Sequence, residues 1–286
     1  MVTPFLLYYT MKTLKLFLFT LASLSIASCN TVYYQVYEAK SSELVQKDNS
    51  MVFENEDCKV SYNLWSNGGS MAFIFENKTD KDLFVDLSQS FFIKNGGAND
   101  YFQNRTYETR AYESVSLGYS VTDSYLNPTN YWESIYNVPI TTSFKAMAKA
   151  KAGASLAVTT KEPDFICVPA KSYKVFAYYK IKPSLIKTCD KNFDQPRTDV
   201  VVKTYNENNT PLKFKNRIAY SFENNKNSLK HIDNSFWLAS IKNYSKKSAI
   251  EKEKVQQGCS SIKVKREFFK IGGPNQFYVP YTNRLK

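Results

Sequence analysis

Cys58-Lys59-Val60-Ser61-Tyr62-Asn63-Leu64-Trp65 is followed by Asn67-Gly68-Gly69 and then by Met71-Ala72-Phe73-Ile74-Phe75-Glu76. The first run alternates between apolar and polar residues, the pattern of a half-buried strand. Asn and Gly tolerate positive φ, so the middle stretch reads as a hairpin turn and the last run as the returning strand. The same rhythm continues on both sides. Asn77-Lys78-Thr79-Asp80-Lys81 is a turn in which Asn and Asp can bond their own backbone. Leu83–Leu87 and Phe91–Lys94 read as one strand with a bulge near Ser88-Gln89-Ser90, and Asn95-Gly96-Gly97 is a second hairpin signal. Upstream, Asn30–Tyr37 carries an alternating aromatic run suited to a first strand, and Met51–Glu54 to a short one.

Downstream, strands are expected at Asp164–Val168, Tyr173–Ile181, Val200–Tyr205, Leu212–Phe222 and Ser235–Ile241, with Phe268-Phe269 and Phe277–Val279 returning to the sheet. Ser245–Gln257 (SKKSAIEKEKVQQ) has a capping serine, charged pairs and a stop at Gly258, and reads as one short helix near the C-terminus. Short strands at close, regular spacing predict an all-β fold, an antiparallel β-sandwich (Ig-like or related). Tyr 21 and Phe 20 against Gly 9 and Pro 10 fit strands joined by turns and are too aromatic for a disordered chain. Residues 105–163 break the rhythm. They are rich in Tyr, Ser and Asn, then in Ala and Lys, and read as a long insertion where a binding role is worth seeking.

The N-terminus carries an address. Met11-Lys12-Thr13-Leu14-Lys15 precedes an apolar run from Leu16 to Ile26, and Ile26-Ala27-Ser28-Cys29 follows. Two lysines and a greasy segment too short to span a bilayer describe a signal peptide, residues 1–28, with Met11 the expected start. Small residues before Cys29 match the bacterial lipobox. What that pattern implies is cleavage before Cys29 and acylation of Cys29, with palmitate among the chains, because stable anchoring takes more than one chain. Residues 29–50 are then expected to form the lipidated N-terminus and a polar tether, and 51–286 a single domain.

Of 38 Lys/Arg against 26 Asp/Glu, the excess lies in the second half: residues 1–160 are slightly acidic and residues 161–286 strongly basic. Such a half faces an anionic partner, such as phospholipid heads or lipopolysaccharide phosphates, or is a solvated basic surface. An exported protein is not expected to meet nucleic acid.

The matching stretches then include Cys29, Tyr33-Tyr34-Gln35-Val36-Tyr37, Asn77–Lys81, Phe92–Gly96, Val168–Ser172, Phe214–Tyr220 and Phe277-Tyr278-Val279. In these the chain resembles uncharacterised β-rich lipoproteins of Bacteroidota envelopes. The resemblance implies a β-sandwich-like body and no reaction, and only Cys29 carries a role across. Surface-displayed members of such envelopes tend to carry acidic residues after the cysteine. Asn30-Thr31-Val32-Tyr33 has none, which points to the periplasm-facing leaflet of the outer membrane.

Chemistry has few footholds. His231 is the sole histidine, too few imidazoles for most zinc sites or for Ser-His or Cys-His catalysis, and it reads as a surface residue. Neither a metal nor a cofactor is expected. Asp80, Asp82 and Asp86, and Glu54, Glu56 and Asp57, fall in turn-like clusters. They leave a carboxylate-dependent glycoside hydrolase as a third reading, after a structural or binding protein and a glycan binder. Cys189 and Cys259, in loop-like surroundings, are the first candidates for a disulfide, while Cys58 and Cys167 are a second pair or buried free thiols. Trp65 and Trp237 lie in strand-like runs and are expected in the core. Trp132, beside Tyr131 in the insertion, is the aromatic expected to meet a sugar.

Overall fold

The computed structural model describes residues 31–111, 156–188, 190–197, 202–256 and 263–282. The fold is all-β and antiparallel, two curled sheets face to face. The larger sheet runs β10 (Phe165–Val168), β6 (Leu83–Lys94), β13 (Lys213–Ser221), β14 (Lys230–Ser245), β1 (Val32–Lys40), β17 (Gln276–Thr282), with β7 (Gly97–Asp100) on β6 and β12 (Val202–Thr204) on β14. The smaller sheet runs β11 (Tyr173–Phe176), β5 (Phe73–Asn77), β4 (Cys58–Tyr62), β3 (Ser50–Glu54), β2 (Val45–Lys47).

The stretch from Cys58 to Asn77 supplies β4 and β5, paired from Cys58↔Asn77 to Tyr62↔Phe73. Its glycines do have positive φ, 78° at Gly68 and 72° at Gly69, but they do not make a tight hairpin. Residues 63–72 instead form a long connection that closes the two sheets along one edge. Gly68 N donates to Tyr278 O (2.8 Å) and Tyr278 N to Ser66 O (3.2 Å), so the loop caps edge strand β17. A Cβ on Gly69 would stand 2.7 Å from Ile181 Cδ1 and 3.0 Å from Phe277 Cγ, so a side chain there forces its neighbours to shift. The second hairpin signal is a two-residue turn: Lys94 pairs with Gly97, and Asn95 (φ 47°) and Gly96 (φ 87°) both take the left-handed conformation that such turns require. The bulge in β6 is also present, between the pairs Phe91↔Arg217 and Asp86↔Ala219.

Aromatic rings fill the space between the sheets. Phe73 stacks on Phe176 (4.9 Å), Phe214 on Phe236 (5.1 Å) and Tyr37 on Phe277 (5.0 Å). At the centre lies a polar pair. Asn216 and Asn234 face each other across β13 and β14, and each accepts a buried phenol through Oδ1, from Tyr101 and Tyr62 respectively, at 2.8 Å. Among the described residues their amide Nδ2 groups have no partner, a cost of about 1–3 kcal/mol each.

Two expectations need correction. Residues 39–50 are not a tether: β1 lies between β14 and β17, and Ala39 and Leu44 are buried. The domain thus begins within three residues of Cys29. Ser245–Gln257 is not one helix. Ser245 does cap α2 (Lys246–Ala249), its hydroxyl accepting from Ser248 N, but at Ile250 the chain becomes β15 (Ile250–Gln256), paired with β16 (Lys263–Phe269) in a two-stranded ribbon. Alternating Ile250, Lys252, Lys254 and Gln256 supply a period of two, and a partner strand makes it the better use of those residues. A second four-residue helix, α1 (Lys191–Asp194), had no clear sequence signal beyond its cap, Asp190, which accepts from Asn192 N. The ends of the expected insertion pair as β8 (Thr106–Ala111) and β9 (Leu156–Lys161).

Candidate functional site

One cleft is lined from five separated segments, three of them brought together by strand register. Lys213 and Lys40 both lie opposite Trp237, one from β13 and the other from β1. Lys215 lies opposite both Ser235 and Ile93. Directly opposed residues share a face, and this face points away from the core, since Phe214, Phe236 and Leu238 at the alternate positions are buried. The resulting cleft has a volume of about 290 Å³. Trp237 and Ile93 supply its apolar surface and Lys213, Lys215, Glu207 and Ser42 its polar rim. The Asn95-Gly96 turn closes one side and is locked to β13: Lys213 N donates to Asn95 Oδ1 (2.8 Å) and Asn95 N to Lys213 O (2.9 Å). On the other side Ser235 N donates to Glu43 Oε2 (2.9 Å).

The electrostatics favour an anion. Glu207 stands on the rim, and Asp233 lies 3.9 Å from Lys215 Nζ, but Arg217 already holds both Asp233 oxygens, at 2.9 and 2.7 Å. That forked hydrogen bond holds the Asp233 carboxyl below its ordinary range, against partial burial and with help from Lys215. The same bond raises Arg217. Among the described residues no carboxylate lies within ion-pair distance of Lys213.

A second, larger cleft of about 540 Å³ lies beside Trp65, between Asn49, Asn63 and the root of the ribbon. Its indole is already occupied. Phe269 meets it edge-on (5.1 Å), Tyr278 packs at 5.0 Å, and Gly272 lies so close that a Cβ would stand 2.8 Å from Cε2. At the far end of the sandwich, Asp57 Oδ2 accepts from Tyr220 Oη (2.9 Å) and Lys230 Nζ (2.6 Å). Beside it the buried Cys58 thiol is pushed up to about 12, first by burial and then by Asp57, which makes it a poor nucleophile.

The sequence-predicted positions distribute as follows. Cys29, Cys189, Cys259, Tyr131 and Trp132 lie outside the described residues. Cys58 and Cys167 are both free thiols. Trp65 and Trp237 are not core residues: both are partly exposed. Trp65 lies beyond the end of β4, and Trp237 has the parity opposite to Phe236 and Leu238. That alternation within Ser235-Phe236-Trp237-Leu238 was the signal that would have turned Trp237 outward. His231 is exposed and lies within β14. Of the acids expected in turns, Glu54 is tied to Lys78, Asp80 to Lys171 and Asp82 to Ala170 N, while Asp86 lies buried within β6, where it accepts from Ser88 N. Among the described residues no three His, Cys, Asp or Glu side chains converge in a metal-binding group. Comparison with protein-family models, curated proteins and solved structures finds no match to this chain.

Proposed function

We propose that this protein is a lipid-anchored binding protein of the bacterial cell envelope. Cys29 holds it to the outer membrane, facing the periplasm, and the Trp237 cleft takes a small ligand with an apolar body and an anionic group. The observation that carries the ligand class is the Lys40–Trp237–Lys213 row, a partly exposed indole with a lysine opposite it on each neighbouring strand, of which Lys213 lines the cleft. The indole offers apolar contact area, and the lysine stems can lie along an apolar body with their ammonium groups on a carboxylate or phosphate. The volume is at the small end for ligand pockets, which suits a short fatty acid or an aromatic acid better than an extended glycan.

Tryptophan fluorescence tests this. Octanoate or benzoate should change the emission, Trp237→Phe should abolish the change, and Trp65→Phe should leave it. A response only to neutral oligosaccharides would overturn the anionic ligand and favour a glycan binder. A response surviving in Trp237→Phe would move the site elsewhere. Anchoring is tested separately: the mass of the N-terminal peptide should show acyl chains on Cys29, and Cys29→Ser should release the protein from membranes. An unmodified Cys29 would remove the anchor from the proposal.

A further inference from the structure

The β15–β16 ribbon sorts its charges by face. Its register places Ile250↔Phe269, Lys252↔Glu267, Lys254↔Lys265 and Gln256↔Lys263 on one side, and Glu251↔Phe268, Glu253↔Arg266 and Val255↔Val264 on the other. Two of these pairs set opposite charges against each other, as a ribbon built for its own stability would. Lys254↔Lys265 does the reverse, and like charges directly opposed weaken strand pairing. Lys263 adds a third cation to the same face. All three are exposed, and among the described residues no carboxylate pairs with any of them. Glu267, the one acid on that face, is taken by Lys246 (2.9 Å) and Lys252 (3.3 Å). Those bonds hold its carboxyl below the ordinary range.

The root of this ribbon lies where the chain enters the fold. Ser245, the cap of α2, pairs with Tyr33, and Phe269 packs edge-on against Tyr34 at 5.2 Å. Tyr34 is five residues after Cys29, so even a fully extended chain separates them by only about 18 Å. The ribbon itself is about 24 Å long. A lipid on Cys29 therefore keeps the lysine face within reach of the headgroup plane.

We propose that the Lys254, Lys263 and Lys265 face of the ribbon is a second membrane contact, binding anionic phospholipid headgroups. The argument is charge complementarity together with this proximity, and it rests on the anchor reading above. The ribbon then adds an electrostatic contact to the acyl chains and limits how the domain tilts on the membrane.

The test removes the anchor. The full chain carrying Cys29→Ser is sedimented with phosphatidylcholine vesicles, with and without phosphatidylglycerol, at low and high salt. Binding beyond the phosphatidylcholine baseline should require phosphatidylglycerol and fall steeply with salt. Replacing Lys254, Lys263 and Lys265 together by Gln should weaken it by about a hundredfold, roughly fivefold per lysine. Lys81→Gln, a surface change in another turn, should leave it unchanged. Equal binding to both vesicles, or undiminished binding by the triple variant, overturns the proposal. So does binding that inorganic polyphosphate captures while phosphatidylglycerol vesicles do not, which would assign the face to a soluble polyanion. No arm depends on acylation, so failure here and failure of the Cys29 anchor are read independently.

Discussion

At Trp65 the indole is enclosed by Phe269, Tyr278 and the backbone of Gly272. At Trp237 the strand neighbours on both sides are lysines. Both tryptophans are partly exposed and both border a cleft, and the larger cleft belongs to Trp65. The contrast shows that exposure and cleft size do not identify a binding aromatic. What matters is whether the ring face is already spent on the protein's own packing. Trp65 joins the ribbon root to edge strand β17, and so belongs to the architecture. Trp237 stands outside the core, and the proposed function gives its surface to a ligand.

The contrast breaks most directly through stability. Trp65→Ala should cost about 3 kcal/mol, the low end for a large buried aromatic because the ring is partly exposed. Trp237→Ala should cost about 1 kcal/mol or less. Urea unfolding measures both, and equal costs would make Trp237 a packing residue. The nearby glycines sharpen the same point. Gly272→Ala places a Cβ 2.8 Å from the Trp65 ring at φ 138°, and should cost about 2–3 kcal/mol. Gly96, on the rim of the Trp237 cleft, has φ 87° but nothing within 4 Å of a Cβ. Gly96→Ala should therefore cost only the left-handed backbone, about 1 kcal/mol. If Gly96→Ala costs as much as Gly272→Ala, the cleft rim is as tightly packed as the Trp65 corner.

The smallest effect is electrostatic. Because Asp233 is held below its ordinary range, the stability it lends through Arg217 is present above about pH 4 and is lost as pH falls through the depressed value. Being partly exposed and screened, that contribution is well under about 1 kcal/mol. Wild type and Asp233→Asn should differ slightly in thermal midpoint near neutrality and converge in acid. Removing this acid should also tighten an anionic ligand in the cleft by about twofold, read by the fluorescence titration. No effect on the ligand would mean that the lysine rim does not set its charge preference.

Much of the fold was legible because strand signals are local. Alternation in Cys58–Tyr62 and left-handed residues at Asn95-Gly96 act over two to eight residues, and both are realised in β4 and in the β6–β7 turn. The errors came where a distant partner decided. Lys246–Ala249 makes one helical turn after its serine cap. The next seven residues then leave the helix because Lys263–Phe269 is present to pair with them. Residues 39–50 look polar enough for a tether, yet β1 leads through Ala39 and Leu44, both buried, into the second sheet. The Trp237 cleft was hidden for the same reason. The parity of Trp237 was readable within its own strand, but the lysines beside it come from positions 40 and 213.

The amino-acid sequence by itself therefore determined the fold class: short alternating strands, and turns built on Asn and Gly. Local backbone preferences and side-chain periodicity suffice for those. Tertiary structure alone decided which strands are neighbours. A two-residue period says which side chains share a face of one strand, but only pairing register says which of them meet. Register also set Trp237 between two lysines, enclosed Trp65 among aromatics, and gathered three lysines, without a carboxylate partner among the described residues, on one face of the ribbon beside the entry of the chain.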